Sequence, residues 1–281
     1  MLNLLEVLKK TSEFFASKGI ESPRLNAELL VGHALGLARM RLYLEFERPV
    51  TDPELAAIRE LVRRRGRREP LQYILGTVDF GGLKLKADRR ALIPRPETEL
   101  LVEAIVARAE PPPARILDLG TGSGAIALAL AAAFPRAQVA AVDASQEALA
   151  LAAENAAATG LAERVRFLAS NWFGALAPGS TFDLIAANPP YLSEAETDAA
   201  APEVRDHEPR GALAAGDHGF ADLAVILAAA PAFLAPGGLL ALETGIGHLA
   251  RAAEAAQAAG FARTESVPDL TGRDRIFLAW R

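Results

Sequence analysis

From Pro96 onward the sequence alternates between short apolar runs and segments of helical periodicity, and no other feature restricts the fold as far. "ETELLVEAIVARA" reads as a helix, "ARILDLG" as a buried strand, "GAIALALAAAF" as a helix and "AQVAAVDAS" as a second strand. The helix "QEALALAAENAAATG" follows, then the strands "RVRFLAS", "FDLIAANP", "PGGLLALET" and a terminal "IFLAW". Strands alternating with helices imply a mostly parallel sheet covered on both faces. In such sheets ligands sit at the carboxyl ends of the strands.

The part before Pro96 is of another kind. Residues 1–75 read as a helical unit in which Ser22-Pro23 and Asp52-Pro53 each place a capping residue before a proline at the first helical position. Residues 76–95 lie in a stretch of short β-type runs cut by glycines, a hairpin linker, and residues 96–281 form the alternating domain. No residue from Leu223 to Leu242 is charged, but Pro231, Pro236, Gly237 and Gly238 divide that stretch into a helix, a turn and a short strand of the core. With 281 residues, 51% of them hydrophobic, the chain can hold one large domain or two smaller ones, with ample material for a core.

Composition removes several functions. The chain has no cysteine, and its four histidines are scattered without metal-ligand spacing, so no metal site is expected. A net charge of −5 argues against a broad basic face for gripping DNA. The opening "MLNLLEVLKKTSEFF" lacks the apolar run of a signal peptide, so the mature chain is expected to start there, in the cytoplasm and off the membrane.

Two loops carry the candidate chemistry. "LDLGTGSGA" places Asp118, Gly120, Thr121, Gly122, Ser123 and Gly124 at a strand-to-helix turn, where glycines let a ligand approach the backbone. Spacing alone leaves a dinucleotide fingerprint open, because Gly120, Gly122 and Ala125 satisfy it. A carboxylate two residues before the first glycine would repel a pyrophosphate and suits a cationic ligand such as S-adenosylmethionine, with its sulfonium and ammonium. Asp143, at the end of the next strand, can accept both ribose hydroxyls. The plain alternative is that Asp118 and Asp143 cap helices. In the second loop, "FDLIAANPPYL", two prolines end a strand and hold a stiff turn presenting the Asn188 side chain, the Pro189 carbonyl, Pro190 and the Tyr191 ring.

The Asp118–Gly124 loop, Asp143 and "NPPY" together resemble a class I S-adenosylmethionine-dependent methyltransferase. Adding "PLQYILG" (70–76), "LIPRPETELLVE" (92–103), "EPRGAL" (208–213) and "GRDR" (272–275) makes the chain similar to the HemK/PrmC family, over nearly its whole length. That resemblance implies a Rossmann-like, mostly parallel seven-stranded sheet behind a small helical substrate-recognition domain. It implies methyl transfer from S-adenosyl-L-methionine, with S-adenosyl-L-homocysteine as product, to the glutamine N5 of the Gly-Gly-Gln loop of peptide-chain release factors. Asn188 Oδ1 and the Pro189 carbonyl would accept from the amide N–H bonds, with Tyr191 against the planar amide. Where the family reads Asp-Trp this chain has Asn171-Trp172; the Asn carbonyl can still accept from the adenine amino group, and Trp172 can flank the ring or fill the core. The expected partner is a release factor, with no direct nucleic-acid binding and a monomeric chain.

Other readings stay open at this point. "NPPY" also permits an adenine-N6 or guanine-N2 nucleic-acid methyltransferase, although residues 1–75 look too small and helical for a target-recognition segment. A non-catalytic S-adenosylmethionine-binding scaffold and a nicotinamide dehydrogenase are further alternatives. The basic run "RRRGRR", Arg63 to Arg68, is either a solvated helix end or a dock for an acidic protein face or RNA.

Overall fold

The computed structural model describes residues 2–269 and 271–281; Met1, where the sequence reading starts the mature chain, and Leu270 lie outside the described residues. The chain forms two units, Met1–Gly76 with Ala201–His207 and Thr77–Ala200 with Glu208–Arg281.

The first unit is helical: α1 (Leu4–Ser17), α2 (Pro23–Leu35), α3 (Arg39–Leu44), α4 (Asp52–Gly66) and α5 (Leu71–Leu75). Helix α1 buries Leu4, Val7, Leu8, Thr11 and Phe15, one stripe of a 3.6-residue period. Asn3 caps it, accepting from the Glu6 N–H while Glu6 Oε2 accepts from the Asn3 N–H, both at 2.9 Å. Two expected caps differ. Ser22 adopts a left-handed backbone (φ 47°) in place of the extended one a capping side chain needs, and makes no capping bond. At α4 the cap is Thr51, whose N–H and hydroxyl both donate to Glu54 Oε2 at 2.9 Å, so Asp52 already lies in the first turn.

The basic run at the end of α4 is used inward, which neither sequence reading anticipates. Arg65 is buried and donates to Asn26 Oδ1 at 2.8 Å, to the Glu69 carbonyl at 3.1 Å and to Glu203 Oε1 at 2.8 Å. Arg68 donates to the other oxygen of Glu203 at 2.7 Å and to the carbonyl of Gly19 at 2.8 Å, and Arg64 makes a two-pronged pair with Glu69. Arg63 and Arg67 are exposed. These bonds also explain a second difference. The sequence runs the second domain unbroken from 96 to 281, whereas residues 201–207 belong to the first unit, tied there by Glu203.

The second unit opens with a hairpin, β1 (Thr77–Phe80) and β2 (Leu83–Lys86), joined through Gly81-Gly82. Then come α6 (Pro96–Arg108), β3 (Arg115–Leu119), α7 (Ala125–Ala133), β4 (Gln138–Asp143), α8 (Gln146–Ala158), β5 (Val165–Ala169) and β6 (Phe182–Ala187). After α9 (Glu194–Ala199) the chain forms the short α10 (Pro202–Arg205) of the first unit and returns as α11 (Gly216–Gly219) and α12 (Ala221–Phe233). It ends with β7 (Leu234–Glu243), α13 (Leu249–Ala258), β8 (Arg263–Pro268) and β9 (Asp274–Trp280).

Among the described residues these strands form the expected seven-stranded sheet, ordered β5-β4-β3-β6-β7-β9-β8. The first five run parallel; β9 is antiparallel to both of its neighbours, β7 and β8, so β8 points the same way as the first five. Alternate strand residues feed two cores. Ile116, Val139, Leu184, Leu239 and Leu278 pack with Leu101, Ile105, Ile126 and Leu130 of α6 and α7. Leu117, Val142, Ile185, Leu240 and Phe277 pack on the other face with Leu223, Ile226 and Leu227 of α12. Most apolar residues of the uncharged stretch 223–242 are core, among them Leu223, Ile226, Leu227, Leu234, Leu239, Leu240 and Leu242, and α12 runs through Pro231 to Phe233, without the bond that residue's N–H would make. Strand β8, "RTESVP", is absent from the sequence reading; it is an edge strand whose side chains are exposed or half-buried. No helix among the described residues is long and apolar enough to cross a membrane.

The strand order reverses at β3, which lies between β4 and β6. Chain leaving the carboxyl ends of β3 and β6 in opposite directions opens a crevice there. Both candidate loops begin at that place.

Candidate active site

Asp118, next to last in β3, is fully buried. Its Oδ2 accepts from the Thr121 hydroxyl at 2.6 Å and from the Ala127 N–H at 3.1 Å, tying the glycine turn to the first turn of α7. Burial pushes this carboxyl up to about 7, with Asp143 adding to the rise, against the lowering effect of those two bonds. Asp118 is absent from the lining of the cavity described below, and its other oxygen, Oδ1, is buried with no protein partner. Asp143 does line it. Its Oδ2 accepts from the Gly122 N–H at 2.8 Å and its Oδ1 from the Ser145 N–H at 2.8 Å, leaving acceptor capacity on both oxygens. Gly120 has φ 68°, and a β-carbon there would sit 3.3 Å from the Trp172 ring, so both conformation and space call for glycine.

Asn188 and Pro190 line the cavity, whereas Pro189 is buried and Tyr191 half-buried outside its lining. Asn188 Nδ2 donates to the Thr98 hydroxyl at 3.1 Å, and that hydroxyl donates to Glu243 Oε2 at 2.6 Å. Tyr191 Oη donates to the other oxygen of Glu243 at 3.0 Å, so its hydroxyl is turned away from the ligand space. Burial first, then the Glu243 charge and bond, raise the Tyr191 phenol above its ordinary value and keep it neutral. The exit from the turn is held by backbone. Leu192 donates to the Leu213 carbonyl at 3.0 Å and accepts from the Ala215 N–H at 2.9 Å. Gly219 approaches so closely that a β-carbon on it would lie 2.2 Å from the Tyr191 carbonyl oxygen.

The opposite wall is "LIPRPETE". Ile93 donates its N–H to Glu208 Oε1 at 3.4 Å, and Arg95 pairs with Oε2 of the same buried carboxylate. Two separate motifs are thereby fixed by one side chain. At the far end Trp172 Nε1 donates to Asp222 Oδ1 at 3.2 Å, and burial raises the Asp222 carboxyl while that bond opposes it.

Together these elements enclose about 540 Å³, lined by the glycine turn, Asp143, Asn171, Trp172, Asn188 and the Leu92–Arg95 wall. Of the residues singled out in the sequence, Gly120, Thr121, Gly122 and Ser123 line it, and Gly124 instead packs against Ala152 of α8. Thr98, Glu243 and Asp222 were missed. Glu243 had a signal: an acid ends the apolar strand "LLALE", as Asp143 ends "VAAVD". The chemistry of the lining fits S-adenosylmethionine. Asp143 has free acceptor capacity for hydroxyls, Trp172 offers a flat apolar ring, and the positive-φ glycine turn leaves the backbone bare for close approach.

Comparison with known proteins gives the family and the fold. A family model of the PrmC N-terminal domain matches residues 6–76, and one of the methyltransferase small domain matches residues 96–206. The chain is 45% identical over 271 residues to a release factor glutamine methyltransferase of Geobacter sulfurreducens, covering 96% of this chain and 94% of that one. It is 45% identical over 286 residues to the protein of the same name in Chlorobaculum tepidum, with 97% and 95% covered. Among solved structures, a methyltransferase from Pyrococcus furiosus shares the fold at a TM-score of 0.53 and 21% identity, covering 71% of this chain and 88% of that one.

Proposed function

The chain belongs to the family of release factor glutamine methyltransferases, and on that premise we propose that Asn188 and Pro189 hold the side-chain amide of a release-factor glutamine for methylation at N5. S-adenosylmethionine is the methyl donor, and when bound it supplies a methyl group made electrophilic by a sulfonium. Asp143 would hold its ribose hydroxyls, the backbone of Gly120–Ser123 would lie against it, and Asn171 and Trp172 would face its adenine. The residues of this chain do the rest by position and charge.

An amide nitrogen is a poor nucleophile because its lone pair is delocalised into the carbonyl. As it attacks it loses that conjugation and turns positive, so acceptors aimed at its N–H bonds stabilise the transition state more than the ground state. Asn188 Oδ1, which lines the cavity, would be one acceptor at the end of β6, and the Pro189 carbonyl, beside it in the turn, would be the second. No strong base is required, since the proton can leave to water once the nitrogen is cationic. The observation that carries this reading is the Asn188 amide: its Nδ2 is committed to Thr98, which leaves Oδ1 for the ligand. The glutamine of a Gly-Gly-Gln loop is the proposed acceptor, and a substrate of that kind places the enzyme in the cytoplasm.

Incubation with radiolabelled S-adenosylmethionine and, separately, a peptide-chain release factor, tRNA and duplex DNA tests it. Label is expected in the release factor. Label confined to a nucleic acid would overturn the proposal.

A further inference from the structure

Glu243 is a buried acid, 1% exposed, that the transfer itself does not use. It ends β7, and the register pairing Ala187 with Leu242 puts it beside Asn188 across the β6–β7 ladder. Each of its oxygens accepts one hydroxyl, from Thr98 at 2.6 Å and from Tyr191 at 3.0 Å. Both hydroxyls belong to the surroundings of the proposed acceptor group. Resting on the function proposed above, we infer that Glu243 is a positioning residue which, when ionised, fixes the Asn188 amide through the Thr98 hydroxyl so that Oδ1 faces the substrate nitrogen.

Donor counting gives the relay its direction. An ionised carboxylate only accepts, so the Thr98 proton must point at Glu243. The Thr98 oxygen is then left with lone pairs alone, and only a donor can approach it. Asn188 therefore meets it with Nδ2, at 3.1 Å, and its carbonyl is turned the other way. Protonation of Glu243 on Oε2 removes this constraint. The new carboxyl O–H can donate to the Thr98 oxygen, the Thr98 proton is freed to donate to an amide oxygen, and the Asn188 amide can turn over. It would then present N–H to an incoming N–H, donor against donor.

The charged and titratable groups around Glu243 come from each element packed on it. Arg275 of β9 favours the ionised form, Glu97 of α6 opposes it, and the Tyr191 hydroxyl from the β6 loop favours it by donating. Arg95, before α6, acts on Tyr191 and is itself paired with Glu208. Burial outweighs these and raises the Glu243 carboxyl above the ordinary glutamate value, so the switch lies at higher pH than for an exposed acid.

The test combines a spectroscopic readout in the free enzyme with kinetics. In protein carrying 15N-asparagine, the Asn188 side-chain amide, assigned by its loss in Asn188→Asp, should shift with pH in wild type and in Thr98→Ser. It should stay still in Glu243→Gln and Thr98→Val. With a release factor as substrate, Glu243→Gln and Thr98→Val should lower kcat at least about tenfold while leaving KM and cofactor affinity within about twofold, the pattern of an interaction made in the transition state. Thr98→Ser should restore wild-type kcat. The wild-type rate should fall about tenfold per pH unit on the acid side, and Glu243→Gln should lack that limb. An amide resonance that does not titrate, or a Glu243→Gln enzyme with full kcat and the wild-type acid limb, would overturn the inference. A titrating resonance without methylation of the factor would support the relay and sink the substrate assignment instead.

Discussion

At Asn188 a side chain that offers both donor and acceptor is given one orientation by its neighbours, and that orientation is what makes a poor nucleophile usable. Replacing it with alanine should leave the fold intact, since it lies in a turn at a strand end. The cost should fall on kcat, by a factor of about 10² to 10³, the size seen when one oriented hydrogen-bonding group is removed from a desolvated site. Stopped-assay kinetics on a purified release factor measures it. Asn188→Asp keeps two acceptors but cannot donate to Thr98, so it should recover only part of the rate. Asp143→Ala acts on the other partner: calorimetry should find S-adenosylmethionine affinity reduced by about 1.5 to 3 kcal/mol, the worth of a charge-assisted bond. The sequence revealed these residues because each stands in a short motif. It could not reveal Thr98 with Glu243, 145 positions apart, or Asp222 under Trp172, because only folding brings such pairs into contact.

Single elements carry the next level. Helix α4 ends in arginines that look from the sequence like a surface feature, and its buried face shows otherwise. Arg65 satisfies Asn26, the Glu69 carbonyl and Glu203 at once, and holds residues 201–207 to the first unit. Burial raises the Glu203 carboxyl, but the bonds from Arg68 and Arg65 outweigh it and the net direction is down. Arg65→Ala should therefore destabilise the protein by about 3 kcal/mol, at the low end for breaking a buried ion pair because Arg68 remains on Glu203. Arg63→Ala, on an exposed side chain, should change stability by less than about 1 kcal/mol. Urea unfolding separates the two, and equal effects would contradict the inward assignment of the cluster. A run of like charges gives no sign of which members face inward; that depends on Glu203, whose partners lie more than a hundred residues away.

Across the whole molecule, the alternation after Pro96 made the parallel sheet and its ligand edge readable, because β3, β4, β6 and β7 are apolar enough to announce burial on both faces. Edge strand β8 carries no such signature, and the excursion of 201–207 into the first unit rests on ion pairs rather than on periodicity. Buried acids also give the fold a pH dependence with a definite sign. The Asp118 carboxyl is raised from 3.8 to about 7 in the folded protein, so its contribution to stability is full below the unfolded value and is lost as pH rises through the folded one. Asp118→Asn lacks that loss. Its unfolding free energy relative to wild type should climb between about pH 4 and pH 7 and level off above, whatever its offset, as urea titrations at a series of pH values would show.

The central claim is that this site methylates the side-chain amide of one glutamine, and tandem mass spectrometry of a release factor treated with the enzyme and S-adenosylmethionine tests it most directly. A single added methyl on the glutamine of Gly-Gly-Gln, absent after treatment with Asn188→Ala, is the predicted result. A methyl on any other residue, or the same methyl produced by the alanine variant at the wild-type rate, would contradict it.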